Sequence, residues 1–333
     1  MPSAVLFDHP GDPDVLQWRP VEPLNPGADQ VVIGVAAAGI NNADLLQRRG
    51  RYPVPAGAPR PLGLECAGTI LAVGSAVTAW SPGEQVCALL DGGGYADQVA
   101  VPATQVMPIP RGLSLVEAAA VPEVACTVYS NLAMVAGLTG GHNVLIHGAG
   151  GGIGSFAIQW ARAIGAHVLT TAGSDAKAQA GRDLGAQVVI NYRSEDFVAA
   201  TLAATGGQGV DAILDVVGAD YLARNLQSLA SDGHLVIIGG CTEPTLLDIG
   251  VLMAKRASVT ATMLRARPAD QKAAIVAGVI RDVFPLFETG AIRAVVDTVV
   301  PLSDAAQAHR LLESGKTVGK VILDNQVRAG RRG

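Results

Sequence analysis

The sequence predicts a two-domain α/β protein in which a β-rich domain is joined to a doubly wound parallel sheet. Three observations predict it. Near Val121 the pattern changes from short β-rich runs between Pro- and Gly-rich turns to strict alternation of strand-like and helix-length stretches. Five of the seven residues from Gly148 to Gly154 are glycine, and they lie between an apolar run and an apolar helical stretch. A chain of 333 residues, 49% hydrophobic and 16% charged, can bury a large core and suits two domains.

In chain order, Gln30–Ala37, Gly68–Val73 and Gln85–Leu89 are short β-rich runs set between "LNPGAD", "YPVPAGAPRP" and "DGGG". Such spacing predicts a compact, barrel-like β domain. A short helix is expected at Ala43–Arg48, where Asp44 either caps the helix or orients the loop "RGRYPVP". Strand-like runs then follow at Asn143–His147, His167–Ala172, Val188–Ile190, Ala212–Val217 and His234–Ile238. The helix-length stretches between them imply βα units and a parallel sheet covered on both faces. Ala257–Leu264 reads as a further extended segment, and "KVIL" as a strand returning to the first domain. The expected division is 1–121, 122–264 and 265–333, with the outer two parts forming one domain.

Glycine loses more conformational freedom on folding than any other residue, so a cluster of it serves backbone geometry or close approach. A strand, a glycine turn and a helix together aim free helix N–H groups at a phosphate. No GxGxxG begins at Gly148, but Gly152-x-Gly154-x-x-Ala157 fits the GxGxxA variant. The plain alternative is a turn between two core elements, with His147 capping or packing beside it. NAD-binding sheets tend to end the second strand in an acid that bonds the ribose 2′-OH. Here that strand ends Ala172-Gly173-Ser174, Asp175 lies past the turn, and Lys177 and Tyr192 follow. This set suits a 2′-phosphate, and local sequence equally allows Lys177 to be a solvated helix residue.

The motifs "AAGINNADLLQRRGRYP", "PLGLECAGTI", "AAAVPEVACTVY", "VLIHGAGGGIGSFAIQWARAIGA", "TAGSDAK", "INYRSEDF", "LDVVG" and "VGKVIL" run over almost the whole chain. In combination they resemble the zinc-independent quinone oxidoreductase branch of the medium-chain dehydrogenase/reductase superfamily. The resemblance implies a GroES-like substrate domain built from both chain ends around a central Rossmann domain, with NADPH as cofactor. It places Gly150, Gly151, Gly152, Ile153 and Gly154 at the pyrophosphate and Ser174, Lys177 and Tyr192 at the 2′-phosphate, with Gly173 also among the cofactor-binding residues. Asn41, Thr127, Gly218, Gly240, Met263, Leu264 and Arg265 match positions toward the nicotinamide. Relatives often carry Arg or Phe where this chain has Asn42. The resemblance further implies a homodimer in which the segment Ala257–Leu264 pairs across a two-fold axis.

Zinc-dependent members of the superfamily offer a direct comparison. Where they place Cys this chain has Asn41, where they have Gly-His-Glu it has Gly63-Leu64-Glu65, and Glu123 stands at a later cysteine. The expectation is that no metal is held. Without a Lewis acid the chemistry suits an acceptor that is already electron-poor. Reduction of quinones or related activated carbonyls is the first expectation, with Asn41, Tyr52 and Asp44 as the candidate catalytic residues. Tyr52 is the candidate proton donor, or else an aromatic anchor of its loop. Enoyl or alkenone C=C reduction, and a non-enzymatic NADPH-binding protein, are the alternatives.

The net charge of −5 with scattered basic residues argues against nucleic acid or an anionic membrane as partner, and the terminal "RAGRRG" reads as a solvated end. No apolar run is expected to reach transmembrane length, and the start lacks the basic and apolar parts of a signal peptide. Cys66, Cys87, Cys126 and Cys241 form no CxxC pair, which suits free thiols in a cytoplasmic protein.

Overall fold

The computed structural model describes residues 1–240 and 244–327. Cys241 and the terminal "RAGRRG" lie outside the described residues. Contacts divide the chain into two units, Met1–Cys126 with Arg265–Thr289 and Ala294–Gly333, and Thr127–Leu264 with Gly290–Arg293. The first cut falls after Cys126 instead of Val121. One reason is that the Glu123 N–H donates to Glu65 Oε2 (2.9 Å) within the first unit.

The strands are β1 (Ser3–Leu6), β2 (Gln17–Pro20), β3 (Gln30–Gly39), β4 (Glu65–Val73), β5 (Gln85–Leu89), β6 (Gln98–Pro102) and β7 (Val106–Pro108). The second unit contributes β8 (Asn143–His147), β9 (His167–Ala172), β10 (Val188–Asn191), β11 (Val210–Asp215), β12 (Leu229–Ile237) and β13 (Ser258–Ala261). The chain then returns to the first unit with β14 (Val296–Pro301) and β15 (Lys320–Asp324).

In the first unit β1 pairs with β2, and a seven-stranded sheet runs β14-β15-β3-β4-β5-β7 with β6 also on β3. The "KVIL" segment is β15, antiparallel to β3 with Ile322 opposite Gly39. Val31, Ile33, Ile70, Tyr95 and Val321 lie in the core of this unit. The second unit holds a parallel sheet in the order β10-β9-β8-β11-β12-β13. Its first strand, β8, is central, so the order reverses between β8 and β11, and ligands of such sheets bind outside the carboxyl ends there. Leu145, Leu169, Phe197, Ile213 and Leu235 fill its core.

Several boundaries differ from the sequence expectation. β11 ends at Asp215 and not Val217, because the Asp215 carboxylate accepts the N–H groups of Val217 (2.6 Å) and Gly218 (3.1 Å) and turns the chain. β12 starts at Leu229 and not His234, with Asp232 at φ 63° inside it. β13 covers only Ser258–Ala261 of the extended segment expected at Ala257–Leu264. Leu115–Val135, against expectation, is helical, long and apolar enough to cross a membrane, but 78% of its apolar window lies inside the fold.

Candidate active site

The second unit assembles the glycine turn from β8 and the helix Gly152–Ala163. Gly148 sits at φ 85°, a left-handed conformation that side-chain-bearing residues rarely adopt. A Cβ on Gly154 would lie 2.1 Å from the Gly148 carbonyl oxygen, so the helix can close onto the turn only without one. Gly151 is the N-cap and supplies no side-chain cap, which leaves the first-turn N–H groups to an anion.

Two further glycines show what surrounds this turn. A Cβ on Gly150 would stand 2.5 Å from Lys177 Cγ, so the lysine's alkyl chain lies across the turn. A Cβ on Gly173 would stand 2.2 Å from the Tyr192 hydroxyl. Lys177 belongs to the helix Asp175–Asp183, whose N-cap Ser174 accepts the Lys177 N–H at 3.4 Å. Lys177 therefore lies against Gly150, and Tyr192 against Gly173, with Gly173 and Ser174 adjacent at the end of β9. A bare turn with a lysine across it and a hydroxyl beyond fits the phosphates of a dinucleotide.

The other expected cofactor residues fall in different settings. Gly218 follows β11 at φ 83°, and Gly240 follows β12 at φ 72°. A Cβ on Gly240 would meet the Val217 carbonyl at 1.6 Å, which brings these two turns together. Thr127 is buried, and its carbonyl accepts from Ser130 Oγ (3.2 Å) and Asn131 Nδ2 (2.8 Å). The run Met263-Leu264-Arg265 is divided, with Arg265 in the first unit. There its guanidinium donates to the Asp91 carbonyl (2.9 Å from Nε) and to Gln47 Oε1 (2.6 Å), and sits 5.7 Å from the Tyr52 ring centroid.

In the first unit Asn41 precedes the helix Asn42–Arg48. Asp44 is buried, and its carboxylate accepts the N–H groups of Asn41 (2.8 Å) and Gly63 (3.0 Å). It therefore caps the helix and pins the Gly63 segment, and burial pushes its carboxyl up to about 6. The Asn41 side chain donates from Nδ2 to Glu65 Oε1 (2.9 Å) and accepts at Oδ1 from Lys320 Nζ (2.6 Å). Lys320 also pairs with Glu65 Oε1 at 2.6 Å. Charge thus fixes the amide orientation, oxygen toward the ammonium and nitrogen toward the carboxylate. Half-buried Tyr52 has its phenol pushed up to about 12, first by burial and then by the negative charge of Glu123.

The Glu65–Lys320 ion pair escaped the sequence reading because 255 residues separate its partners, as the two residue numbers show. Asp215, Thr171 and Asn225 also escaped it. The available signal was a polar residue at or next to the end of an apolar strand, as Asp215 and Thr171 are. Among the described residues, no three His, Cys, Asp or Glu side chains come together as a metal site.

Residues 27–111 match the family model "Alcohol dehydrogenase GroES-like domain", and residues 184–323 match "Zinc-binding dehydrogenase". A quinone oxidoreductase of Pseudomonas aeruginosa is 33% identical over 326 residues, covering 97% of this chain and 99% of the relative. The chain belongs to the quinone oxidoreductase family of the medium-chain dehydrogenase/reductase superfamily. Within this family, the crystal structure of Escherichia coli quinone oxidoreductase complexed with NADPH superposes with a TM-score of 0.88 at 33% identity, covering 97% and 99% of the two chains. A crystal structure of CurK enoyl reductase gives 0.86 at 29% identity, covering 97% and 99%. The GroES-like and parallel-sheet architecture of the family is thus that of this chain.

Proposed function

We propose that the chain is an NADPH-dependent reductase that passes hydride to quinones or related electron-poor carbonyls without a metal. The observation that carries this reading is Lys177 lying across the bare Gly150 turn with Tyr192 over Gly173, in a member of the quinone oxidoreductase family. NADPH, when bound, supplies the hydride. Unit 2 is the cofactor domain. Gly150, Gly151, Gly152, Ile153 and Gly154 receive the pyrophosphate, and Gly173, Ser174, Lys177 and Tyr192 hold the 2′-phosphate. Thr127, Gly218, Gly240, Met263 and Leu264 serve the nicotinamide end. Unit 1 is the substrate domain, where Asn41 is held in one orientation by Lys320 and Glu65. Tyr52 keeps its phenolic proton through the neutral range and can donate a hydrogen bond from Oη to a developing oxyanion. Arg265 is the remaining residue proposed for the nicotinamide end; its guanidinium is held by Asp91 and Gln47 and stands 5.7 Å from the Tyr52 ring centroid.

Zinc independence is supported by the Lys320 ammonium, a cation already facing Asn41 and Glu65. A homodimer is supported by β13 at the open sheet edge and by exposed Leu246, Ile249 and Met253. Light scattering at micromolar concentration should give twice the chain mass, and a monomeric mass refutes the dimer. A cytoplasmic setting suits Cys66, Cys87 and Cys126, which are free and buried.

A second reading, C=C reduction of enoyl thioesters or alkenones, is favoured by the likeness to CurK enoyl reductase. The deciding experiment follows NADPH absorbance with a panel of quinones, alkenones and enoyl thioesters. Preferential turnover of quinones is the expected result, and preferential turnover of enoyl thioesters selects the second reading. Tight NADPH binding with no turnover of any of them refutes both.

A further inference from the structure

A chain of buried polar groups runs beneath the carboxyl end of the parallel sheet, between the two turns that flank its reversal point. Gly148 N–H, at the start of the glycine turn, is shared between the Thr171 carbonyl (3.2 Å) and Thr171 Oγ1 (3.3 Å), and Thr171 Oγ1 meets His147 Nδ1 at 3.0 Å. His147 Nε2 meets Asn225 Oδ1 at 2.8 Å, and Asn225 Nδ2 donates to Asp215 Oδ2 at 2.9 Å. Asp215 in turn holds the N–H groups of Val217 and Gly218 in the turn after β11. His147, Thr171, Asn225 and Asp215 are all buried.

The partners determine the direction of every bond. A carboxylate only accepts, so Asn225 turns its NH₂ to Asp215 and its carbonyl to His147. His147 must then carry its proton on Nε2. Burial pushes this imidazole down to about 4, against the opposing hydrogen bond to Asn225, so it is neutral and Nδ1 accepts. Thr171 consequently donates to Nδ1 and keeps its oxygen lone pairs for Gly148 N–H. Phe197 and Tyr221 pack against the ring with centroids 5.1 and 5.0 Å away, and Arg224 lies over both of those aromatic rings. An unpaired polar group in this setting carries a full desolvation cost, so the chain is held as one unit.

We propose that Thr171, His147, Asn225 and Asp215 are positioning residues that set the glycine turn and the Gly218 turn in register for one dinucleotide. None of the four touches the cofactor in this account, which rests on the NADPH reading of the second unit. Their effect falls on molecules that use the glycine turn, and not on a fragment that reaches only Lys177 and Tyr192.

The test titrates NADPH, NADH and adenosine 2′-monophosphate against the full chain and its Thr171→Val, Thr171→Ser and Asn225→Leu variants. Thr171→Val and Asn225→Leu should weaken NADPH and NADH by the same factor, about tenfold. Adenosine 2′-monophosphate should change less than twofold, and Thr171→Ser should bind like the unaltered protein. Unchanged NADPH affinity in the folded variants overturns the proposal, and so does an equal loss for the monophosphate fragment, which marks general softening. Should the Asn225 or Thr171→Val variants not fold, imidazole ¹⁵N spectra of the unaltered protein decide. A neutral His147 with Nε2–H is required at pH 7, and the Nδ1–H tautomer or a doubly protonated ring refutes the relay. If the unaltered protein binds neither NADPH nor NADH, the cofactor reading itself has failed, an outcome distinct from failure of the relay alone.

Discussion

Replacing Lys177 tests the cofactor assignment where its geometry is clearest. Its alkyl chain lies over Gly150 and the residue is half-buried, so the side chain is laid across the turn. A charge-assisted hydrogen bond in such a setting contributes about 1.5–3 kcal/mol. At about 1.4 kcal/mol per decade, Lys177→Ala should weaken NADPH roughly tenfold to a hundredfold. NADH lacks the 2′-phosphate and should barely change. Alanine also removes methylenes that cover the turn, so Lys177→Met separates the two effects. It keeps the covering chain and loses the charge, and it should show the same selective loss. Tyr192→Phe removes a neutral hydroxyl and should cost about 0.5–1.5 kcal/mol, again for NADPH only. The assay is a fluorescence titration of both cofactors against each variant, together with turnover at saturating NADPH, which should stay near that of the unaltered protein. Equal weakening of NADH and NADPH by Lys177→Met would falsify the phosphate assignment, because only the charge distinguishes that variant.

Three further perturbations probe the first unit and the buried titrating groups. Lys320→Met strands the Glu65 carboxylate in a buried site and should cost about 3–5 kcal/mol by urea denaturation, with Lys320→Arg costing less. A loss below about 1 kcal/mol would mean that the pair is solvated. Acid stability follows from three shifted groups. His147 and His309 are pushed down to about 4 and about 3 by burial, so the unfolded chain binds their protons first as pH falls from 6.5. Asp44, raised to about 6, acts in the opposite sense between 3.8 and 6, where the folded state holds the extra proton. For these three groups the balance near pH 5 is two protons gained on unfolding against one lost, about 1 kcal/mol per pH unit. The raised Asp215 opposes this and the lowered His234 adds to it, so stability should rise from pH 4 to 6. His309→Gln should flatten that slope, and an unchanged slope sinks this assignment. Chelator treatment should leave both fold and activity intact, whereas stoichiometric zinc lost together with activity refutes metal-free chemistry.

Much of the second unit was legible because its strands are buried on both faces and stand as apolar runs between turn residues. β8 and β9, like β5 in the first unit, span the residues the sequence indicates. The glycine turn was legible for a related reason, since only close approach or a left-handed backbone explains five glycines in seven positions. The errors fall where side chains bond to backbone at strand ends. Asp215 looked like the middle of a strand and is its last residue, because its carboxylate folds back on Val217 and Gly218.

By itself the sequence determined the fold class, the order of the βα units, the glycine turn and the residue types around it. These follow from local periodicity and backbone preference, which act over a few residues. The tertiary structure alone decided which buried polar groups satisfy one another. Lys320 neutralises Glu65 and orients Asn41 across the sheet, Arg265 is engaged by Asp91 and Gln47, and His147 reaches Asp215 through Asn225. A buried charge or amide is tolerated only when a partner arrives, and that partner is supplied by folding, from anywhere in the chain.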